Sequence, residues 1–204
     1  ESTALFLQGY TGDIRPRAVI GDEFFRGSFE MAQRFGHSFF RTIQPALTAK
    51  SRPVDLDLKG VILRQEIKTV NQIADDLSTS YDLTIEPYRS WHRLFWQHPE
   101  RLHVPRILQV QAIRFAKNLI LAAANGEIVS GYAQDIRARV PDCTILTTGY
   151  SNGMLGYIAT DQQLREGGYE AEDFLYYFGL PGKWDVSVDA ILRKIQKAAV
   201  DSVR

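Results

Sequence analysis

"NLILAAANGEIVSGYAQDIRARVPDCTILTTGYSNGMLGYIAT" (residues 118–160) is the stretch on which the fold turns. "NLILAAA" is a continuous apolar run bounded by turn residues, the pattern of a buried strand. "GEIVSGYAQDIRARV" then has the spacing of an amphipathic helix, "TILTTGY" is a second buried strand, and "SNGMLGYIAT" is a glycine-rich loop. Strand, helix and strand within about 30 residues is the length of a right-handed crossover, which makes the two strands parallel neighbours. Open α/β sheets place their ligands at the carboxyl ends of such strands. Glu127 sits there at the expected helix start, and Tyr157 lies in the loop after the second strand.

Outward from this unit, "RILQVQAIRF" alternates as a strand, and residues 54–67 begin with Val54, Leu56 and Leu58 alternating against Asp55, Asp57 and Lys59. Gly60 marks an expected bulge in that second strand. Helices are expected at residues 70–79, 87–97 and 188–200. From Asp22 to Leu47, apolar residues including Phe25, Phe29, Phe35 and Phe39 recur at helical spacing. That pattern predicts a long helix with a core-facing stripe, ended by Pro45. Residues 4–9 read as a strand leading into the loop "GYTGDIRP", so Asp13 leaves a strand end as Glu127 does. The expected fold is a single α/β domain over residues 1–204, with a mixed, largely parallel sheet layered with helices.

The 204 residues carry 24 basic and 24 acidic side chains, so no global field draws the chain to nucleic acid or an anionic membrane. No apolar run reaches the roughly 20 residues of a transmembrane helix, and the first residues lack the basic leader of a signal peptide. The lone cysteine, Cys143, forms no internal disulfide and reads as a small buried hydrophobe. His37, His92, His98 and His103 match no compact zinc spacing. "GYSNG" is not a nucleophile elbow, and "GLPGKW" is not a phosphate-cradling loop. Each candidate also has a structural reading: Glu127 as a first-turn acid, Tyr157 as loop packing, Asp13 as a turn residue.

The order of "FLQGYTGDIRP" and then "AANGEIVSGYAQDIRARVPDCTILTTGYSNGMLGYIATDQQLREGGYE" resembles the neutral/alkaline (non-lysosomal) ceramidase superfamily. That resemblance implies a zinc-dependent amidohydrolase cleaving the N-acyl bond of a lipid-like substrate. It implies Glu127 and Tyr157 as oxygen ligands of zinc, with Tyr150 a second phenol close by, and Tyr150 and Asn152 as substrate-binding candidates. It also implies two histidine ligands from an N-terminal part, so the chain is expected to be the C-terminal portion of a larger protein or one of two assembling chains. Asp13 and Arg15 are the expected catalytic residues of the Gly-Asp loop. The family's Gly-Asp-Val-Ser-Pro reads "GDIRP" here, so Arg15 stands where the serine does. A permanent cation there favours a substrate with an anionic group. Two other readings remain open: a catalytically silent scaffold that lost the serine, and an unrelated phosphate-ester or sugar enzyme using Arg15 and Arg17.

Overall fold

A computed structural model describes residues 5–20, 23–24, 27–50, 53–70 and 82–204. Contacts divide the chain into two compact units, residues 14–55 and the remainder. In the smaller unit, β1 (Val19–Ile20) and β2 (Glu23–Phe24) pair antiparallel, and α1 (Phe29–Thr48) follows. α1 is capped by Ser28, whose hydroxyl accepts the Met31 amide (3.4 Å), and it begins at Phe29, seven residues later than periodicity suggested. It also runs through Pro45, because a proline in the final turns removes a single backbone bond there. The Thr48 hydroxyl returns to the carbonyls of Gln44 and Pro45. No residue of α1 is buried, and Phe29, Phe35, Phe39 and Phe40 are exposed, contrary to the expected core stripe. Among the described residues of this unit, one helix and a two-residue ladder provide no second layer to cover an apolar face.

The larger unit is built on four strands, β3 (Lys59–Ile67), β4 (Arg106–Ala116), β5 (Leu119–Ala124) and, after the two-residue β6 (Glu127–Ile128) and a helix over Ser130–Arg139, β7 (Thr144–Thr148). Their order is β3-β4-β5-β7. β5 and β7 are parallel, in register from Leu119 opposite Thr144 to Ala123 opposite Thr148, as the crossover predicted. β3–β4 and β4–β5 are antiparallel, so the α/β sheet is mixed but less parallel than its sequence suggested. Gly60 pairs regularly with Ile113, and the irregularity lies instead between Arg114 and Ala116. Val54, Leu56 and Leu58 precede β3 and are exposed. The helix expected at 70–79 falls, beyond residue 70, outside the described residues. Residues 5–9 form no strand, and Leu5 is 90% exposed. The Gln8 carbonyl instead accepts the Gly149 amide (3.1 Å) and the Thr148 hydroxyl (2.8 Å) beyond the end of β7.

Helices α2 (Tyr88–Gln97), α3 (Ser130–Arg139), α4 (Asp161–Glu166), α5 (Leu175–Phe178) and α6 (Ser187–Val203) complete this unit, with β8 (Tyr157–Ile158) between α3 and α4. α6 turns Val188, Leu192, Ile195, Ala199 and Val203 onto β3 and β4, and with Leu108, Val110 and Ile120 they form the core. No described helix is long and apolar enough to cross a membrane.

Charge fastens α6 to α3. Arg193 reaches Asp189 (2.8 Å) and Asp135 (2.9 Å), and its guanidinium lies 5.0 Å from the centre of the Tyr132 ring. Burial alone would raise the Asp189 carboxyl, but the Arg193 hydrogen bond and charge, with the Tyr132 hydroxyl, hold it below the usual carboxylate range. A depressed folded-state pKa means stability that is present above the unfolded value of about 4 and lost as pH falls through the folded one. Arg193→Ala is expected to cost about 2 kcal/mol at neutral pH. It should also flatten the acid limb of stability below about pH 4, as measured by urea unfolding across pH.

Candidate functional site

At the end of β5 the chain is pinned by a buried amide. Asn125 Oδ1 accepts the Gln109 amide (2.7 Å), and Asn125 Nδ2 donates to the Ile107 carbonyl (2.9 Å), so the exit from β5 is tied to β4. Glu127 follows in β6, where its amide donates to the Gly156 carbonyl (2.9 Å) and Val129 N to Ile158 O (3.3 Å). Those ladder bonds make Glu127 a strand residue, three positions before α3, so it is not the first-turn acid that helical spacing suggested. In the parallel β6–β8 pair, Glu127 stands directly opposite Tyr157. Register partners project to one face of a ladder, which brings the carboxylate and the phenol together.

Aromatic packing fixes Tyr157 in place. Its ring lies 5.3 Å from Tyr169, edge-on, and 5.3 Å from Phe174, while Trp184 Nε1 donates to its carbonyl (2.7 Å). Gly156 makes the approach possible: its φ is +95°, and a Cβ there would sit 2.6 Å from Phe174. Tyr150 and Asn152 lie in the loop after β7, both with positive φ (53° and 63°). Such a backbone costs a residue other than glycine about 1–2 kcal/mol. Bonds from Tyr150 N to Gly126 O (3.0 Å) and Ser151 N to Ala124 O (3.0 Å) hold it.

Three phenols feel the charge of Glu127. Burial, then a hydrogen bond to Glu127 and the charge of Glu127, push the Tyr157 phenol above the usual range, with Tyr169 and Tyr150 adding to the effect. The same sequence of causes raises Tyr150. Tyr169 is raised by burial and by neighbouring Tyr177 and Glu127, against a hydrogen bond with Tyr157. Tyr157 and Tyr150, neutral at ordinary pH, are hydrogen-bond donors to Glu127, and Tyr169 is bonded to Tyr157 behind them.

The other expected site residues have partners of their own. The Asp13 carboxylate accepts the Ser130 amide (2.6 Å) and hydroxyl (3.2 Å) and the Gln163 side-chain amide (3.3 Å), so it caps the start of α3. Arg15 belongs to the smaller unit, stacked over Phe24. Asn152 turns its amide to Gln111 Oε1 (3.0 Å). Tyr169 and Asn125 had not been singled out. The signals available for them were the tyrosine of "GGYE" and the asparagine at a strand exit in "AANGE".

Glu127, with Tyr157 and Tyr150 hydrogen-bonded to it, is an oxygen donor of the kind zinc sites use. No group of three His, Cys, Asp or Glu side chains among the described residues is placed to hold a metal.

No protein-family model and no curated protein matches this sequence. Among solved structures, the neutral ceramidase from Pseudomonas aeruginosa superposes on 95% of this chain, with a TM-score of 0.61 at 14% identity. A second structure, a ceramidase complexed with C2, overlaps 48% of this chain and 15% of its own, with a TM-score of 0.35 at 17% identity, too slight to argue from. The chain spans only 36% of the Pseudomonas enzyme's length. At that identity the likeness is one of architecture, and the chain accordingly carries a ceramidase-like α/β fold.

Proposed function

We propose that the chain is the portion of a ceramidase-like zinc amidohydrolase that supplies the oxygen ligands, Glu127 and Tyr157, to a metal completed by two histidines from a further part of the protein or a second chain. The observation that carries this reading is the register of the β6–β8 pair, which sets a carboxylate opposite a phenol at the first residues of two neighbouring strands. Its support in architecture is the superposition on a ceramidase over nearly the whole chain. When bound, zinc polarises a carbonyl and lowers the pKa of its water toward about 7. Glu127 is the anionic donor, the Tyr157 phenol is steered by Tyr169 and Phe174, and Tyr150 orients the carboxylate. Lipid-like N-acyl compounds are the proposed substrate class.

Zinc content of the intact protein tests the proposal. It predicts about one zinc per protein, most of it lost in Glu127→Ala and part in Tyr157→Phe, with far-UV circular dichroism unchanged and N-acyl hydrolysis lost in parallel. Stoichiometric zinc in Glu127→Ala would overturn it.

A further inference from the structure

The backbone that carries Glu127 is packed against glycines from two other segments. A Cβ on Gly12 would lie 2.8 Å from the Glu127 carbonyl oxygen and 3.2 Å from the Ile128 carbonyl carbon, and one on Gly149 would lie 2.9 Å from the Gly126 carbonyl oxygen. At both positions the obstacle is main chain, which cannot turn aside as the end of a flexible side chain does. Gly12 is buried, and its amide donates to the Ile128 carbonyl (2.9 Å).

Residues 8–13 are anchored on both sides of that contact. Before it, the Gln8 carbonyl accepts the Gly149 amide, and Tyr10 is buried with its hydroxyl accepting Gln196 Nε2 (3.2 Å) from α6. After it, the Asp13 carboxylate accepts the Ser130 amide. Residues 12 and 13 are thus tied to Ile128 and Ser130, just beyond Glu127, whose own amide is held on the β8 edge by the Gly156 carbonyl. With both ends of the segment fixed, a methyl at residue 12 is relieved by moving the peptide of Glu127.

We propose that Gly12 is a positioning residue for Glu127: its bare Cα lets residues 8–13 close against β6, and that contact sets where the Glu127 carboxylate sits. Its bearing on chemistry rests on the reading of Glu127 as a zinc ligand. Designed and natural sites tolerate displacements of only about 0.5 Å, and loss of the groups that orient a metal ligand costs about 10–100-fold in affinity.

Two measurements on the intact protein test it. In the metal-free state, Gly12→Ala is expected to speed hydrogen exchange of the Glu127 and Val129 amides about tenfold or more, while the amides of Leu192 and Ile195 in α6 keep their protection. Zinc affinity, read by competition with a chelator, should fall about 10–100-fold, and excess zinc should restore the hydrolysis that is lost, which a globally destabilised protein would not show. Gly9→Ala is the control: a Cβ there meets only Thr147 O at 3.7 Å and Thr11 Cγ2 at 3.9 Å, so both readouts should stay at wild-type values. If Gly12→Ala does not fold, Asp13→Ala loosens the same segment from an exposed side chain and should shift both readouts in the same direction. Wild-type exchange at Glu127, exchange that rises equally in α6, or undiminished zinc affinity would each overturn the proposal. A local rise in exchange at Glu127 in a protein that binds no zinc would support the clamp and remove the hydrolase reading, so the two fail separately.

Discussion

Gly156→Ala should lower the unfolding free energy by about 2–4 kcal/mol, and the thermal midpoint by roughly 5–15 °C, because two costs meet at one carbon. The first is a backbone at φ +95°, which L-residues rarely adopt. The second is steric: the new methyl would lie 2.6 Å from Phe174 Cε2 and 3.1 Å from Cδ2, inside the packing around Tyr157. Gly168 separates them. It has the same φ, +95°, yet a Cβ there meets nothing within 4 Å, so Gly168→Ala should show only the backbone cost, about 1–2 kcal/mol. Equal midpoints for the two variants would mean that Phe174 yields freely, and the claim of a rigid seat for Tyr157 would fail.

The other large effect is expected at Trp184. Its side chain is buried, its ring nitrogen donates to the Tyr157 carbonyl, and its backbone bridges Thr69. Flanking bonds from Val70 N to Lys183 O (2.8 Å) and from Asp185 N to Lys68 O (2.9 Å) join the end of β3 to the same segment. Trp184→Ala should cost about 3–5 kcal/mol from lost burial and the cavity left behind. Trp184→Phe should cost less but leave the Tyr157 carbonyl without its donor, a loss of about 1–3 kcal/mol. Denaturant unfolding measures both, and a loss below about 1 kcal/mol for the alanine variant would exclude Trp184 as a support of β8.

Why some of this was readable from the residues and some was not follows from the range of the forces involved. The β5–α3–β7 crossover rests on local period and loop length, so "NLILAAA" and "TILTTGY" were placed as parallel strands correctly. The meeting of Glu127 with Tyr157 was legible as a consequence of shared strand direction. The β6–β8 ladder that brings it about was not, since two residues carry no period. The Phe29–Phe39 stripe was misread because a pattern says which face of a helix is apolar, never what lies against it. Leu5 to Leu7 failed in the same way: strand-like residues form a strand only where a neighbouring edge receives them. The partners of Asp13, Ser130 and Gln163, were not legible because they are more than a hundred positions away.

That separation sets an order of events in folding. Ordinary helix caps come from the residue next door and form with the helix, but Asp13 closes a loop of 117 positions onto Ser130. Contacts of such sequence separation are entropically late, so α3 can wind before its first amide has an acceptor. Protection of the Ser130 amide against solvent deuterium therefore acts as a clock for arrival of the leading segment, and should lag behind protection of the amides in the middle of α3.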